Sequence, residues 1–139
     1  MWVLANLCLS VAMLAVILLI QLVHYPAFAY YDPGDFTAAM AAHQRRISWI
    51  VLPLMVGEAF VSVYLWFLEP SPLSAISLAL LAAIWATTAW LQVPLHTALL
   101  KGKDQQLIQK LVRGNCWRVV GWSVKTVIAW QITQPQILQ

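Results

Sequence analysis

Polar residues are so sparse along this chain that they divide it into four long apolar stretches. From Trp2 to His24 only Asn6, Ser10 and Gln21 interrupt an otherwise apolar run. About 20 such residues suffice to cross the hydrocarbon core of a bilayer, so the first predicted span covers 2–24. Pro26 and the turn-forming Asp32-Pro33-Gly34-Asp35 break it, and Asp35 is placed to cap a second helix from Phe36 onward. That helix, predicted over 36–68, is polar through Arg46 and apolar from Ile47 to Leu68. Its first turns are expected to stand outside the membrane, and Pro53 to kink it. Glu69-Pro70-Ser71-Pro72 reads as a tight hairpin, followed by a third span over 73–99 with Pro94 near its end. After the basic Leu99–Asp104 loop with Gly102, a fourth helix over 104–131 begins amphipathically on Leu107, Ile108, Leu111 and Val112. It enters the membrane near Asn115, and Pro135 is expected to stop it.

Backbone groups must pair internally in hydrocarbon, which leaves helices or a closed barrel. Continuous Leu- and Ala-rich runs fit helices, not the short alternating strands of a barrel. The expected fold is therefore all-α: one domain over 1–139, a polytopic antiparallel four-helix bundle of up-down topology. No internal repeat or low-complexity tract stands out. Arg45, Arg46, Lys101, Lys103, Lys110 and Arg113 fall on one side of this topology, and Glu69 marks the other. The positive-inside rule makes the basic side cytoplasmic and puts both termini outside, in a plasma or other energy-transducing membrane. Trp2, Trp66 and Trp130 suit the outer interface, and Tyr25, Tyr30, Tyr31, Trp49 and Trp117 the inner one.

Composition agrees: 62% of residues are hydrophobic, 9% are charged and mean hydropathy is +0.76. A net charge of +3 points to lipid headgroups and not to nucleic acid. No basic n-region precedes the first run, so it reads as a retained span and not a signal peptide. Cys8 and Cys116 lack metal-type spacing and read as small buried hydrophobes.

Two polar groups carry the candidate chemistry. Glu58, Arg118 and Lys125 are the ionisable residues inside the spans, where each costs several kcal/mol, roughly 2.5–3.5, unless partnered. Asn115, Arg118, Trp122 and Lys125 share one face of the fourth helix. Glu58 is expected to pair with Lys125 or Arg118, as a register-fixing pair or as part of a relay. The second group is His24, His43 and His96, the only histidines, each at the cytoplasmic end of a different span. Neutral imidazole is the commonest metal ligand. Three imidazoles, with Asp32 or Asp35 nearby, can hold zinc, iron or copper, and one or two can ligate a haem or other tetrapyrrole. No HxxxH or ExxH signature supports such a site, and His43-Gln44-Arg45-Arg46 can equally grip a phosphate or carboxylate.

His24-Tyr25-Pro26, His43 with Arg46, Pro53, Glu58, Pro94-x-His96, Gly102 and Asn115-x-Trp117-Arg118-x-x-x-Trp122 together resemble a group of small uncharacterised bacterial four-helix integral membrane proteins. The resemblance spans nearly the whole chain, although Cys116 separates the Asn from the Trp that it precedes directly in that group. It implies the fold and this choice of residues, but no reaction.

The leading expectation is a cytoplasm-facing pocket walled by His24, His43 and His96 and floored by Glu58, Arg118 and Asn115. It would bind a metal or tetrapyrrole and act on a lipophilic substrate or carry electrons. The alternative is a non-enzymatic subunit of a larger, pigment-bearing or electron-transfer membrane complex, or a homo-oligomer. Ala79, Ala82, Ala83 and Ala86 could serve it by packing against partner helices or pigments, although the expectation is that they pack the chain's own bundle. A small transporter using Glu58 and Lys125 as a switchable pair ranks third, because broken-helix repeats are missing.

Overall fold

A computed structural model describes residues 1–137 of the chain. They form four long helices: α1 (Trp2–Tyr30), α2 (Pro33–Leu68), α3 (Pro72–Leu99) and α4 (Gln105–Ile137), with no strand among the described residues. α1 packs against α2 and α4, and α3 packs against the same two helices, so the four close into a ring. Short connections at 31–32, 69–71 and 100–104 join them. Ser71 and Ser74 form a reciprocal capping box at the start of α3, and Asp104 accepts the backbone N–H of Gln106 and Leu107 at the start of α4. Lys103 donates to the carbonyls of Ala29 and Tyr31, neutralising the negative end of α1.

The usual inside-out distribution is inverted in part. Leu22, Trp49, Phe67, Trp90 and Trp117 are each at least 70% exposed, whereas Asn6, Ser10, Glu58, Ser62, Ser77, Asn115, Arg118 and Lys125 are buried. In water that exterior would be costly, but against lipid tails an apolar exterior is the matching solvent surface. α1, α2 and α3 are long and apolar enough to cross a membrane, which makes this a membrane-type helical protein. α4 is less apolar because Gln105, Gln106, Gln109, Lys110 and Arg113 are exposed along its first turns and Asn115, Arg118 and Lys125 lie on its inward face. At Gly121 a Cβ would stand 2.8 Å from Ile84 Cγ1, so the glycine lets α3 and α4 approach closely.

Several local expectations are corrected. α1 does not stop at His24: Pro26 is absorbed and the helix continues to Tyr30. α2 begins at Pro33 rather than Phe36, because a proline at the first helical position loses no hydrogen bond; Asp32 is the N-cap and Asp35 lies in the first turn. Pro135 sits inside α4, which runs on to Ile137. Cys8 and Cys116 face outward instead of filling the core. Ala79, Ala82 and Ala83 also lie on the exposed face of α3, not in the chain's own bundle.

The absorbed prolines have a structural cost that shapes the site. Pro26 and Pro94 have no N–H to give to the carbonyls of Leu22 and Trp90, four residues back, and their rings crowd those carbonyls. Both carbonyls fall within π-helical turns, Ile20–His24 and Thr88–Gln92. There the N–H of Tyr25 bonds to Ile20 O and that of Val93 to Thr88 O. A wider turn takes up one extra residue and rotates everything after it. α1 and α3 thus share one device at corresponding places, a similarity too short to read as a sequence repeat.

Candidate functional site

The two π turns deliver their last residues, His24 and Gln92, together with Tyr25 and, one turn further on, His96, to one end of the bundle. There His43 of α2 joins them. His43 lies 5.5 Å from His24 and 6.0 Å from His96 between ring centroids, nearly parallel to the latter at 20°. Tyr25 fits edge-on between His43 and His96, and Phe28 meets His43 edge to face at 5.0 Å. Five rings from three helices therefore make one aromatic wall.

Hydrogen bonds tie this wall together. Tyr25 Oη lies 2.9 Å from His96 Nε2 and 3.4 Å from Gln92 Oε1. The hydroxyl donates to Gln92 Oε1, and the direction of its contact with His96 Nε2 follows the tautomer of that ring. His96 Nδ1 is buried and has no hydrogen-bond partner among the described residues. His24 Nδ1, His43 Nε2, Gln92 Nε2 and Arg118 Nε are likewise buried and unpartnered. Unmet polar atoms at such density are rare in folded proteins and call for something to meet them.

They border two cavities separated by His43. One, of about 530 Å³, lies between the end of α1 and α2, with His24, His43 and Arg46 among its lining. The other, of about 290 Å³, is bounded by Tyr25, His43, Gln92, His96 and Arg118 at its polar end. Apart from Ser48 and Thr88, the rest of its wall is apolar, running along Val51, Leu52, Met55, Val56 and Trp85. Leu52, Val56 and Val93 on its rim are more than half exposed, so it opens on the apolar girdle of the molecule.

Beneath the wall, Arg118 donates to Asn115 Oδ1 at 3.2 Å, and Asn115 donates to Gln21 Oε1 at 2.9 Å. Deeper still, Lys125 Nζ meets Glu58 Oε1 at 2.5 Å and donates to Ser62 Oγ and Ser77 Oγ, both at 3.2 Å. Ser10 donates to the same carboxylate at 2.6 Å. All four helices contribute to this knot, and neither charge is exposed.

Of the residues singled out from the sequence, His43, His96 and Arg118 share one cavity, His24 lines its neighbour, and Asn115 supports Arg118 from behind. Glu58 does not floor the pocket; Lys125 holds it in the deeper knot. Among the described residues no three His, Cys, Asp or Glu side chains stand in an arrangement that could hold a metal ion, and Asp32 and Asp35 are exposed. Tyr25, Gln92 and Gln21 belong to the site but do not stand out in the sequence beyond their polarity. Pro two residues after Gln92, as after His24, is the signal that could have found Gln92. No known protein family, no curated protein and no solved structure matches the chain.

Proposed function

We propose that this chain is a four-span membrane protein that binds a lipophilic small molecule or cofactor at its histidine-walled end. The observation behind this reading is the set of buried, unpartnered polar atoms on Gln92, His96 and Arg118, residues that line a cavity whose wall is mostly apolar. Such a cavity, with a few convergent polar groups, is the usual form of a small-molecule site. Entry is from the bilayer, between α2 and α3, where the apolar rim lies. α4 is the fourth span: its buried charges face the bundle, and Val120, Val124 and Val127 face lipid. The short connections make neighbouring helices antiparallel, and the basic residues set the histidine end on the cytoplasmic side.

A metal or tetrapyrrole is a narrower form of the same reading. The free nitrogens of His24, His43 and His96 support it, although the rings would have to turn to share one ion. Redox chemistry would come with that cofactor. The test is purification in detergent-free nanodiscs, followed by an absorption spectrum, metal analysis and mass spectrometry of an organic extract. A stoichiometric molecule or metal, lost in His96→Ala, is the expected result. A wild-type protein carrying neither, and gaining none when exposed to membrane extract, would sink the reading.

A second reading, a subunit of a larger membrane assembly, is favoured by one observation. Ala79, Ala82 and Ala83 form an exposed small-residue face on α3, a surface of the kind that lets helices approach closely in lipid. Size analysis of the same nanodisc sample distinguishes a lone monomer from an assembly.

A further inference from the structure

Two cations are buried in this bundle, and they are treated differently. Lys125 has a carboxylate and two serine hydroxyls around it. Arg118, only 4% exposed, has no carboxylate within ion-pair reach among the described residues, and its Nε is unpartnered. A guanidinium keeps its charge, so burial without a counter-charge is costly unless an anion arrives from outside. Arg118 and Gln92 both line the 290 Å³ cavity, and Arg118 Nε and Gln92 Nε2 are buried with no hydrogen-bond partner among the described residues.

We infer that the ligand of this cavity is a single-chain amphipathic monoanion, a carboxylate on an apolar tail, with Arg118 as the residue that anchors its head. The inference rests on the pocket reading above and names the chemistry of its occupant. One fixed cation balances one negative charge, and the parallel N–H groups of a guanidinium suit the two oxygens of a carboxylate. The tail follows Val51, Leu52, Met55 and Trp85 toward the rim and continues into lipid. At about 30 Å³ per water-sized group, 290 Å³ holds roughly ten of them, enough for the head and the start of one chain. A phospholipid head shares the monoanionic chemistry, but its phosphate, head-group alcohol and glycerol backbone together outnumber the roughly ten groups the cavity holds.

Trp85 on the cavity wall supplies the readout, because bromine quenches tryptophan at short range. The full chain in nanodiscs is titrated with a brominated fatty acid, the matching brominated alcohol, and brominated phosphatidylglycerol. Saturable quenching by the acid, lost in Trp85→Phe, is expected. The alcohol should bind at least about tenfold more weakly, as should the acid to Arg118→Gln, since a charge-assisted contact is lost. Arg118→Lys should retain part of the affinity, which guards against mistaking misfolding for loss of the anchor. Equal, Trp85-dependent quenching by acid and alcohol would overturn the anion inference and leave the pocket reading standing. Quenching by phosphatidylglycerol in place of the acid would overturn the single-chain ligand. No Trp85-dependent quenching by any probe would overturn the pocket and the inference together.

Discussion

Removing either half of the Glu58–Lys125 pair should destabilise this bundle far more than removing both. The structure sets the size of the effect. Lys125 without Glu58 keeps only neutral partners, Ser62 and Ser77 among them, around a fully buried ammonium. Glu58 without Lys125 fares worse, because Ser10 satisfies Oε1 while Oε2 has no hydrogen-bond partner among the described residues. Stranding a buried charge by deleting its partner costs on the order of 3–5 kcal/mol, whereas replacing both by uncharged groups of similar volume is often close to neutral. At roughly 3 °C per kcal/mol for a chain of this size, Glu58→Gln or Lys125→Met should lower the melting temperature by about 10–15 °C. The double variant Glu58→Gln/Lys125→Met should recover most of that loss. The assay is thermal unfolding in detergent micelles, followed by near-UV circular dichroism and arranged as a double-mutant cycle. A double variant that loses the sum of the two single losses would show that the charges do not depend on each other, and would refute the argument.

The remaining expectations test packing, topology and surface. Gly121→Ala should cost about 1–3 kcal/mol, because its Cβ meets Ile84 at 2.8 Å, and adding Ile84→Ala should return part of that loss; thermal unfolding of the pair decides. In a Cys8→Ser/Cys116→Ser background, Pro70→Cys and Lys101→Cys should react with an impermeant maleimide from opposite sides of the membrane; labelling from one side would overturn the up-down topology. The native Cys8 and Cys116 should be quenched by a lipid-phase nitroxide when carrying a fluorophore, since both face outward; protection from it would place them in the core after all. Pro94→Ala should let the turn at Thr88–Gln92 close into regular helix and rotate Gln92 off the cavity, weakening binding of the brominated acid without unfolding the protein.

The four helices and their approximate limits were legible in the sequence because long apolar runs have few structural outcomes in a bilayer. The spacing of Asn115, Arg118, Trp122 and Lys125 likewise put them on one face, since 3.6 residues per turn fixes which positions align. All four are buried together in the structure. The pattern could not decide what faces outward on the other helices. When both the core and the solvent are apolar, neither a buried nor a lipid-facing leucine, alanine or cysteine leaves a mark, which is why Cys8, Cys116 and the α3 alanines turned out to point away from the core. Which partner Glu58 takes, Lys125 or Arg118, depended on helix rotation and depth. Lys125 has it, and Arg118 is left facing the cavity. The site itself rests on the two π turns, a fraction of a helical turn of rotation at Pro26 and Pro94, which composition and periodicity do not record but which bring Tyr25, Gln92 and His96 into contact.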